Sequence, residues 1–346
     1  MTSLRVGLIG AGPVAQAIHL PTVARLDGRV RVTAVSDPNY ELAQAVAARL
    51  DARACRDLAG LLAGDDIDIA VIGSPNAFHA TQIMALAAAG VRGILVEKPL
   101  AVSRDEASQV RAAVAASGAS LVVGAMHTYD AGWLQALDAL RPLGDLAEYG
   151  PFHARLVCHI PNNEYFEDMA SQLIRPGVGT SGAAPTPGEL VSGGVLGLAI
   201  HNLPHIRHFI PEITDVAYAV PAQPWGYAIT ATGVGGTLEL LARTGGTWRP
   251  DWTLGVYAES LYIELNFPPS YVHCGSATTT IVFPDGSTQF CGGSLDNGYL
   301  DEWLELLEII DGKEPRYSVD TLVADLDYAL RLAELAAATA DREACG

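Results

Sequence analysis

The stretch that most constrains the fold of this chain is Gly10-Ala11-Gly12-Pro13-Val14-Ala15. It follows the short apolar run 5–9 directly, and it has the form G-x-G-x-x-A that joins a strand to a helix in dinucleotide-binding units. The first glycine serves the tight turn, the second lets a pyrophosphate approach the backbone, and the helix aims its first amides at the phosphates. We therefore predict that Gly10, Gly12, Pro13 and Val14 bind a dinucleotide.

A second apolar run, 30–35, ends at Ser36 and Asp37. Asp37 lies 22 positions after Ala15, close to the offset of about 20 at which an acid holds the adenosine ribose in such units. No arginine follows Asp37 directly to accept a 2′-phosphate, so the sequence favours NAD over NADP. The alternative, a turn with two glycines and an unrelated surface aspartate, is disfavoured because strand, turn, helix and strand follow in order.

Strand-like and helix-like patterns alternate up to about residue 124, which predicts a doubly wound parallel sheet in a dinucleotide-binding domain over residues 1–124. For residues 125–346 we predict an α+β domain with an open, largely antiparallel sheet that packs one face and leaves the other available for a partner. Its strand-like runs are 153–160, 228–232, 237–242, 254–267 and 278–283. The interval 171–194 is rich in Gly, Pro, Ser and Thr, which predicts a loop.

The apolar run 94–96 ends in Glu97, Lys98 and Pro99, and ligands bind beyond the carboxyl ends of strands in open α/β sheets. Lys98 is one of only two lysines, the other being Lys313, in a chain that otherwise uses arginine. A lysine amine can shift its pKa and transfer a proton, whereas arginine stays charged. We expect a titratable amine at position 98. The alternative is a strand-end lysine paired with Glu97.

Length, composition and net charge limit the kinds of protein that this chain can be and the partners that it can bind. The 346 residues, 49% hydrophobic and 17% charged, predict a globular protein with two sizeable cores. The five cysteines are scattered, which predicts reduced thiols. A net charge of −18 disfavours nucleic acid as a partner. It suits a cationic small substrate such as an amino sugar, although solubility explains it equally well. With no long apolar run and no basic leader, we expect a cytoplasmic protein without membrane contacts.

Four further motifs stand in order along the chain: His19-Leu20-Pro21, Ser74-Pro75-Asn76 with His79, Glu97-Lys98-Pro99, and Gly193-Gly194 leading to His201. Together with the glycine-rich run they resemble the Gfo/Idh/MocA oxidoreductase family over nearly the whole chain. The resemblance implies NAD(P)-dependent transfer of hydride at a carbinol or ketone of a sugar, amino sugar, cyclitol or sugar conjugate. It also implies a cis Lys98–Pro99 bond and a homodimer or homotetramer formed through the open sheet.

The same resemblance implies roles for individual residues. Lys98 and His201 form the proton-transfer pair, and further cofactor contacts come from Ser74, Pro75, Asn76, His79, Glu97 and Lys98. Removing hydride from a carbinol requires that the hydroxyl proton also leave, which a lysine and a histidine can accomplish. No metal is expected, because His201 and His205 lack a third ligand.

Two departures lie on the substrate side. Gly197 stands where the family has an aspartate four residues before the histidine, and His127 and Tyr129 follow a strand where members commonly carry an arginine. If 197, 201 and 205 share one helix face, a residue without a side chain at 197 leaves space for substrate or for another polar group. His127, Tyr129 and Glu189 are our candidates for that group and for substrate binding. A core or turn role for His127 and Tyr129 is equally open.

Two other functions fit the same motifs. One is transient oxidation by bound NAD that enables elimination or glycoside cleavage. The other is a non-catalytic NAD-binding regulator, which the missing aspartate would allow and which the presence of both Lys98 and His201 disfavours.

Overall fold

The computed structural model describes residues 3–64, 67–162, 173–174, 184–245 and 251–345. The chain forms two compact units. The first contains the described residues up to 125, together with 173–174 and 299–326, and the second contains the others. The predicted domains, 1–124 and 125–346, stay a prediction, and a single division near 124 does not anticipate that 299–326 groups with the first unit.

The first unit is built on a parallel sheet of six strands in the order β3-β2-β1-β4-β5-β6, which confirms the predicted doubly wound fold. The order reverses between β1 and β4, the point beside which such sheets bind their ligands. The strands are β1 Leu4–Ile9, β2 Val30–Ser36, β3 Arg53–Cys55, β4 Ile69–Ile72, β5 Gly93–Glu97 and β6 Ser120–Gly124.

Short and medium helices connect these strands. A π-helical turn, Ala15–His19, is followed directly by α1 Leu20–Ala24, and then come α2 Tyr40–Ala48, α3 Leu58–Leu62, α4 His79–Ala88 and α5 Arg104–Ser117. Helix α5 begins where the Ser103 hydroxyl accepts a hydrogen bond from the Glu106 amide, and it ends at Gly118 in the left-handed conformation. Both are favoured helix-end devices, and they set the bounds of α5.

The second unit contains a sheet of eight strands in the order β14-β13-β12-β11-β7-β10-β9-β8. Only the β7–β10 pair is parallel among the described ladders, so the sheet is largely antiparallel as predicted. The strands are β7 Phe152–Ile160, β8 Ile213–Pro221, β9 Trp225–Gly233, β10 Gly236–Thr244, β11 Asp251–Tyr257, β12 Tyr262–Asn266, β13 Thr278–Val282 and β14 Thr288–Cys291. Buried and exposed residues alternate along β10, which leaves one face of the sheet exposed.

One strand prediction was wrong, and two strands were missed. The run 254–267 is not one strand but the hairpin of β11 and β12. Strand β8 was missed because irregularities in its register break the two-residue period. Strand β14 was missed because three of its four residues are exposed and it therefore lacks an apolar face.

The remaining helices are α6 Ala131–Leu140, α7 Pro187–Gly197, α8 Leu203–Arg207, α9 Gly298–Ile310 and α10 Val319–Cys345. The predicted loop 171–194 falls partly on residues 171–172 and 175–183, which lie outside the described residues. Its end, from Pro187, is helical, so the prediction was wrong there. Thr186 and Glu189 form a reciprocal capping box at the start of α7, and this device outweighs the glycines that follow. Among the described residues, no helix is long and apolar enough to cross a membrane.

Two glycines of the second unit allow a matched test of packing. A Cβ on Gly132 would collide with the Ala277 carbonyl, whereas a Cβ on Gly193, inside α7, meets no atom within 4 Å. We expect Gly132→Ala to lower the free energy of unfolding by about 1–3 kcal/mol or more. Gly193→Ala should raise it by about 0.5–1 kcal/mol, because alanine is the better helix former. Urea unfolding of both variants measures the two changes, and equal effects would contradict the packing described here.

Candidate functional site

The glycine-rich turn of the first unit fits its predicted role. Gly10 has φ +89°, and a Cβ there would lie 2.5 Å from the Gly73 carbonyl oxygen. The turns after β1 and β4 therefore approach so closely that only glycine fits at position 10. A Cβ on Gly12 would meet no atom within 4 Å, so the backbone at Gly12 faces open space. That open, side-chain-free turn is the cradle that a pyrophosphate requires.

Asp37 lies at the end of β2, half-buried beside this turn. Its Oδ2 accepts a hydrogen bond from the Ala11 amide at 2.9 Å, and its Oδ1 accepts one from the Asn39 amide at 2.8 Å. A carboxylate offers about four acceptor positions, so both oxygens keep capacity for the two hydroxyls of a ribose. Asp37 thus shapes the turn and presents a negative charge at the place where the sequence predicted it.

Gln16 is a structural residue that the sequence did not reveal. Its side chain is buried, and its amide donates to the carbonyls of Ala11 and Ile174 at 2.8 and 3.0 Å. Its Oε1 accepts from the Ile174 amide at 2.9 Å. Gln16 therefore fastens residue 174 to the glycine-rich turn. No local sequence pattern predicts such a contact, because the two residues lie 158 positions apart.

His19 is held between Glu97 and Trp303 inside the first unit. Its Nε2 lies 3.1 Å from a Glu97 carboxylate oxygen, and its Nδ1 accepts from the Trp303 indole at 3.4 Å. This arrangement places the ring proton on Nε2, which donates to Glu97. Gly124 completes the pocket, because a Cβ there would press on the Glu97 carboxylate at 3.3 Å. The carboxylate beside Lys98 is therefore fixed in position.

Lys98 follows β5 and is half-buried, and the Lys98–Pro99 bond is cis, as the resemblance implied. Burial lowers the pKa of the Lys98 ammonium below its ordinary value, and the neighbouring Glu97 carboxylate opposes that effect. A lowered pKa makes the ammonium a stronger acid than that of an ordinary lysine, so it gives up its proton more readily. This property suits the predicted proton-transfer role.

His79 supports the turns after β4 and β5. Its ring is fully buried, with Nδ1 2.7 Å from the Pro99 carbonyl oxygen and Nε2 2.9 Å from the Ser74 carbonyl oxygen. His79 has no exposed surface, so its observed role is to support the backbone of these two turns. Pro75 and Asn76 are exposed, and the Ser74 hydroxyl donates to Gln82 at 2.7 Å. Direct cofactor contacts by Ser74, Pro75, Asn76 and His79 stay predictions.

The second unit holds a separate cluster around His127. The His127 Nδ1 lies 2.7 Å from Asp130 Oδ2, and both side chains are buried. Asp130 Oδ1 accepts from the Ser276 hydroxyl and from the Gly298 amide, both at 3.1 Å. Sequence reasoning named His127 and missed Asp130, although the spacing of three residues was a signal that one turn could join them.

Aromatic rings enclose this histidine. Trp252 and Phe267 lie 4.8 and 4.7 Å from the His127 ring, and the His201 ring lies 6.2 Å away. The Trp252 indole in turn donates to Asn202 Oδ1 at 2.7 Å, which fixes the residue after His201. The structure therefore brings His127 and His201 together in one buried cluster.

The predicted helix face through 197, 201 and 205 was wrong. Helix α7 ends at Gly197, His201 lies on a separate 3₁₀ turn, Ala199–His201, and His205 belongs to α8. Three glycines weaken the end of α7, and Pro204 fits only in the first turn of a new helix. A Cβ on Gly197 would meet no atom within 4 Å, so the space expected there is present.

His205 lies beneath the cluster. It is fully buried, and its Nε2 donates to the His127 carbonyl at 3.1 Å. Burial first, and then the neighbouring His127, lowers the pKa of His205 to about 3. His205 is therefore neutral across ordinary pH and supports the turn at His127.

Two other predicted substrate residues have structural positions. Tyr129 is buried, and its amide donates to the Met126 carbonyl at 2.9 Å within the turn. Glu189 is exposed, and its carboxylate accepts from the Thr186 amide at 2.8 Å as the second half of the capping box. A role in substrate binding stays a prediction for both residues.

Comparison with known proteins identifies the first unit. Residues 4–125 match the model of the Gfo/Idh/MocA oxidoreductase family, described as an oxidoreductase family with an NAD-binding Rossmann fold. This match covers about a third of the chain and shows that residues 4–125 are similar to this family. The family match coincides with the six-stranded sheet and the turns that carry Gly10, Asp37 and Lys98.

Curated relatives within the family include inositol dehydrogenases. Inositol 2-dehydrogenase 3 of Saccharopolyspora erythraea is 30% identical over 177 residues, 49% of this chain and 50% of that protein. An inositol 2-dehydrogenase/D-chiro-inositol 3-dehydrogenase of Shouchella clausii is 36% identical over 141 residues, 40% of each chain. The chain spans about half the length, or less, of the curated relatives it matches.

Solved structures share the fold across both units. A UDP-N-acetylglucosamine 3-dehydrogenase of Acidithiobacillus ferrooxidans has a TM-score of 0.69 at 20% identity, over 98% of this chain and 99% of that one. A 3-ketoreductase of Actinomadura kijaniata, in complex with NADP and TDP-benzene, has a TM-score of 0.69 at 18% identity, over 98% of each chain. At these identities the likeness establishes the fold.

The depressed pKa of His205 gives a test of stability against pH. Between pH 6.5 and about 3 the unfolded chain binds a proton at this residue and the folded chain does not. Folding stability is therefore lost as pH falls through that window, by up to about 1.4 kcal/mol per pH unit. His205→Gln keeps a donor for the His127 carbonyl and removes the titration. We expect its unfolding free energy, measured in urea from pH 6.5 to 4, to fall less steeply than that of wild type. Equal slopes would contradict the burial of a neutral histidine.

Proposed function

We propose that the protein is an NAD-dependent dehydrogenase or ketoreductase that transfers hydride between nicotinamide and a carbinol or ketone of a sugar, amino sugar, cyclitol or sugar conjugate. The observation that carries this proposal is the half-buried Lys98 with its lowered pKa, at the end of β5 in a dinucleotide-binding sheet. Curated inositol dehydrogenases and solved sugar-nucleotide oxidoreductases among its relatives support the substrate class.

The dinucleotide fits the residues of the first unit. Gly12 offers an open backbone for the pyrophosphate, and Asp37 offers acceptors for the adenosine ribose. When bound, the nicotinamide accepts or supplies the hydride. The protein's own residues then bind the substrate oxygen and move its proton. In this proposal Lys98 donates a hydrogen bond to that oxygen and stabilises the developing alkoxide, while His201 accepts the hydroxyl proton as general base.

The lowered pKa of Lys98 sets the direction of its pH dependence. The ammonium form donates to the oxygen, and it is lost as pH rises through a pKa that burial has brought below the ordinary lysine value. Substrate oxidation that depends on this ammonium should therefore decline at a lower pH than it would if Lys98 had the pKa of an ordinary lysine.

The open sheet of the second unit supports the proposed homodimer or homotetramer. Its exposed large side chains include Leu241 on β10, Tyr257 on β11 and Phe290 on β14. Sedimentation of the purified chain tests this part of the proposal, and a monomer at micromolar concentration would refute it.

The deciding experiment titrates NAD and follows hydride transfer over a panel of myo-inositol, free hexoses, amino sugars and sugar nucleotides. Steady formation of NADH with one class supports the dehydrogenase. Turnover of a glycoside or elimination substrate without net NADH would instead support the transient-oxidation mechanism. Binding of NAD without turnover of any panel compound would support a regulator.

Cofactor choice is predicted from the Asp37 carboxylate. NAD should bind more tightly than NADP, because the carboxylate accepts from ribose hydroxyls and repels a 2′-phosphate. Asp37→Asn keeps the size and removes the charge, so it should narrow the ratio of the two dissociation constants by roughly tenfold, about 1.4 kcal/mol. Calorimetry with both cofactors measures the ratio. Equal or tighter binding of NADP to wild type would refute the assignment.

Lys98 is predicted to act on chemistry rather than on cofactor binding. Lys98→Met should lower kcat by at least roughly 10²-fold, as expected for a lost acid–base group, and leave the NAD dissociation constant little changed. Lys313→Met, at the exposed second lysine, is the matched control and should keep wild-type turnover. Wild-type kcat in Lys98→Met would assign Lys98 a structural role.

A further inference from the structure

The turn after β6 holds a histidine and an aspartate whose joint chemistry the proposed function does not use. His127 Nδ1 lies 2.7 Å from Asp130 Oδ2, and the two side chains are 2% and 1% exposed. The other carboxylate oxygen accepts from Ser276 and from the Gly298 amide. Because Asp130 only accepts here, a neutral His127 carries its proton on Nδ1 and its lone pair on Nε2.

The surrounding backbone is built to hold this pair. A Cβ on Gly298 would collide with the Met126 carbonyl, and one on Gly132 would collide with the Ala277 carbonyl. Glycine at both positions lets the turn lie directly against the neighbouring segment. The Gly298 amide can therefore reach the Asp130 carboxylate, and the carboxylate cannot turn away from His127.

The Nε2 atom of His127 is buried and has no hydrogen-bond partner among the residues that the structure describes. The Trp252 and Phe267 rings lie 4.8 and 4.7 Å from the His127 ring, and the His201 ring lies 6.2 Å away, too far for a direct bond to His127 Nε2. A buried hydrogen-bond acceptor without a donor costs folding free energy. This nitrogen therefore needs an O–H group as its donor, located between the two imidazoles.

We propose that His127 is a proton acceptor for the substrate-side reaction, and that Asp130 is its positioning residue. The inference rests on the proposed function and assigns a site residue beyond Lys98 and His201. The O–H group that meets Nε2 is a substrate hydroxyl or a single water bonded to it. The dyad supplies the buried carboxylate–imidazole unit that Gly197 cannot supply.

The proton balance is simple. As the carbinol carbon loses its hydride to the oxidised nicotinamide, the hydroxyl O–H bond breaks and its electron pair becomes the second carbon–oxygen bond. The hydroxyl proton passes, directly or through His201, to the bridging O–H group, and that group gives its own proton to His127 Nε2, where an N–H bond forms. The resulting imidazolium lies against the Asp130 carboxylate, which stabilises its charge. In the reduction direction the same proton returns.

The titratable groups that face His127 in the described structure come from three elements. Asp130 lies on its own turn, His201 on the 3₁₀ turn Ala199–His201, and His205 on α8. His205 stays neutral because burial lowers its pKa to about 3. Asp130 and His201 are therefore the groups that face His127 in the proposed transfer, and His205 serves only as a hydrogen-bond donor to the His127 carbonyl.

The test uses the full chain, NAD and the panel compound with the highest kcat/KM. His127→Asn keeps an N–H for Asp130 and removes Nε2, so it separates proton transfer from support of the turn. We expect kcat to fall by roughly 10²-fold and the acidic limb of the pH profile to change, with KM, NAD affinity and Tm near wild type. His208→Asn is the matched control. It removes a histidine ring that makes an edge-to-face contact with Trp133, and it should keep wild-type kinetics.

A second measurement does not depend on the folding of a variant. Nitrogen-15 NMR of histidine-labelled wild type should show His127 protonated on Nδ1, with an Nε2 signal that shifts when the substrate saturates the protein. A shift already complete in NAD alone identifies a water as the partner, and a shift on substrate addition identifies a substrate hydroxyl. The opposite tautomer, or an Nε2 with no hydrogen bond in either state, would overturn the proposal.

Different results would refute the proposed function and the role of the His127–Asp130 dyad. Wild type that binds NAD and transfers no hydride to any compound overturns the proposed function, and the NMR result with the panel sugars alone then decides the dyad. Wild type that turns over while His127→Asn keeps its kcat and pH profile overturns the dyad and leaves the proposed function standing. If His127→Asn does not fold, Asp130→Asn, which weakens the tautomer preference, replaces it with the same expected loss.

Discussion

The close approach of two backbone turns, after β1 and after β4, is the constraint on which the first unit depends. At Gly10 a Cβ would lie 2.5 Å from the Gly73 carbonyl oxygen, so the crevice closes only around glycine. Asp37 and Gln16 then hydrogen-bond the backbone of the first turn, and His79 bonds that of the second. The turns are therefore held by buried hydrogen bonds to main-chain groups, which fixes their geometry more tightly than apolar packing would.

Hydrogen bonds and close packing also fix the charged groups near the end of β5. His19 donates to Glu97, and the missing side chain at Gly124 leaves room for that carboxylate. A fixed Glu97 beside Lys98 limits how far burial lowers the lysine pKa. Burial and the Glu97 carboxylate thus act in opposite directions on the Lys98 pKa, and burial is the larger effect.

Features that depend on short spacing could be predicted from the sequence, and features that depend on long-range backbone contacts could not. The glycine-rich turn and Asp37 follow from local patterns, and the parallel sheet follows from the alternation of strand-like and helix-like runs. The cis bond at Lys98 was implied by the family resemblance. Gln16 bonds a residue 158 positions away, which no local pattern encodes. Strand β8 escaped prediction because register shifts remove the two-residue period on which such predictions rest.

The error at His201 is the most informative, because it changes where a carboxylate can act. A spacing of four places two side chains on one helix face only if the helix is continuous, and α7 ends at Gly197 before the 3₁₀ turn that carries His201. A carboxylate at 197 would not stand over the His201 ring as it would on a regular helix. At Asp130, by contrast, the spacing of three falls within a tight turn that two glycine contacts clamp in place. The chain thus places a carboxylate bonded to an imidazole in the second unit on a turn whose backbone contacts hold both residues.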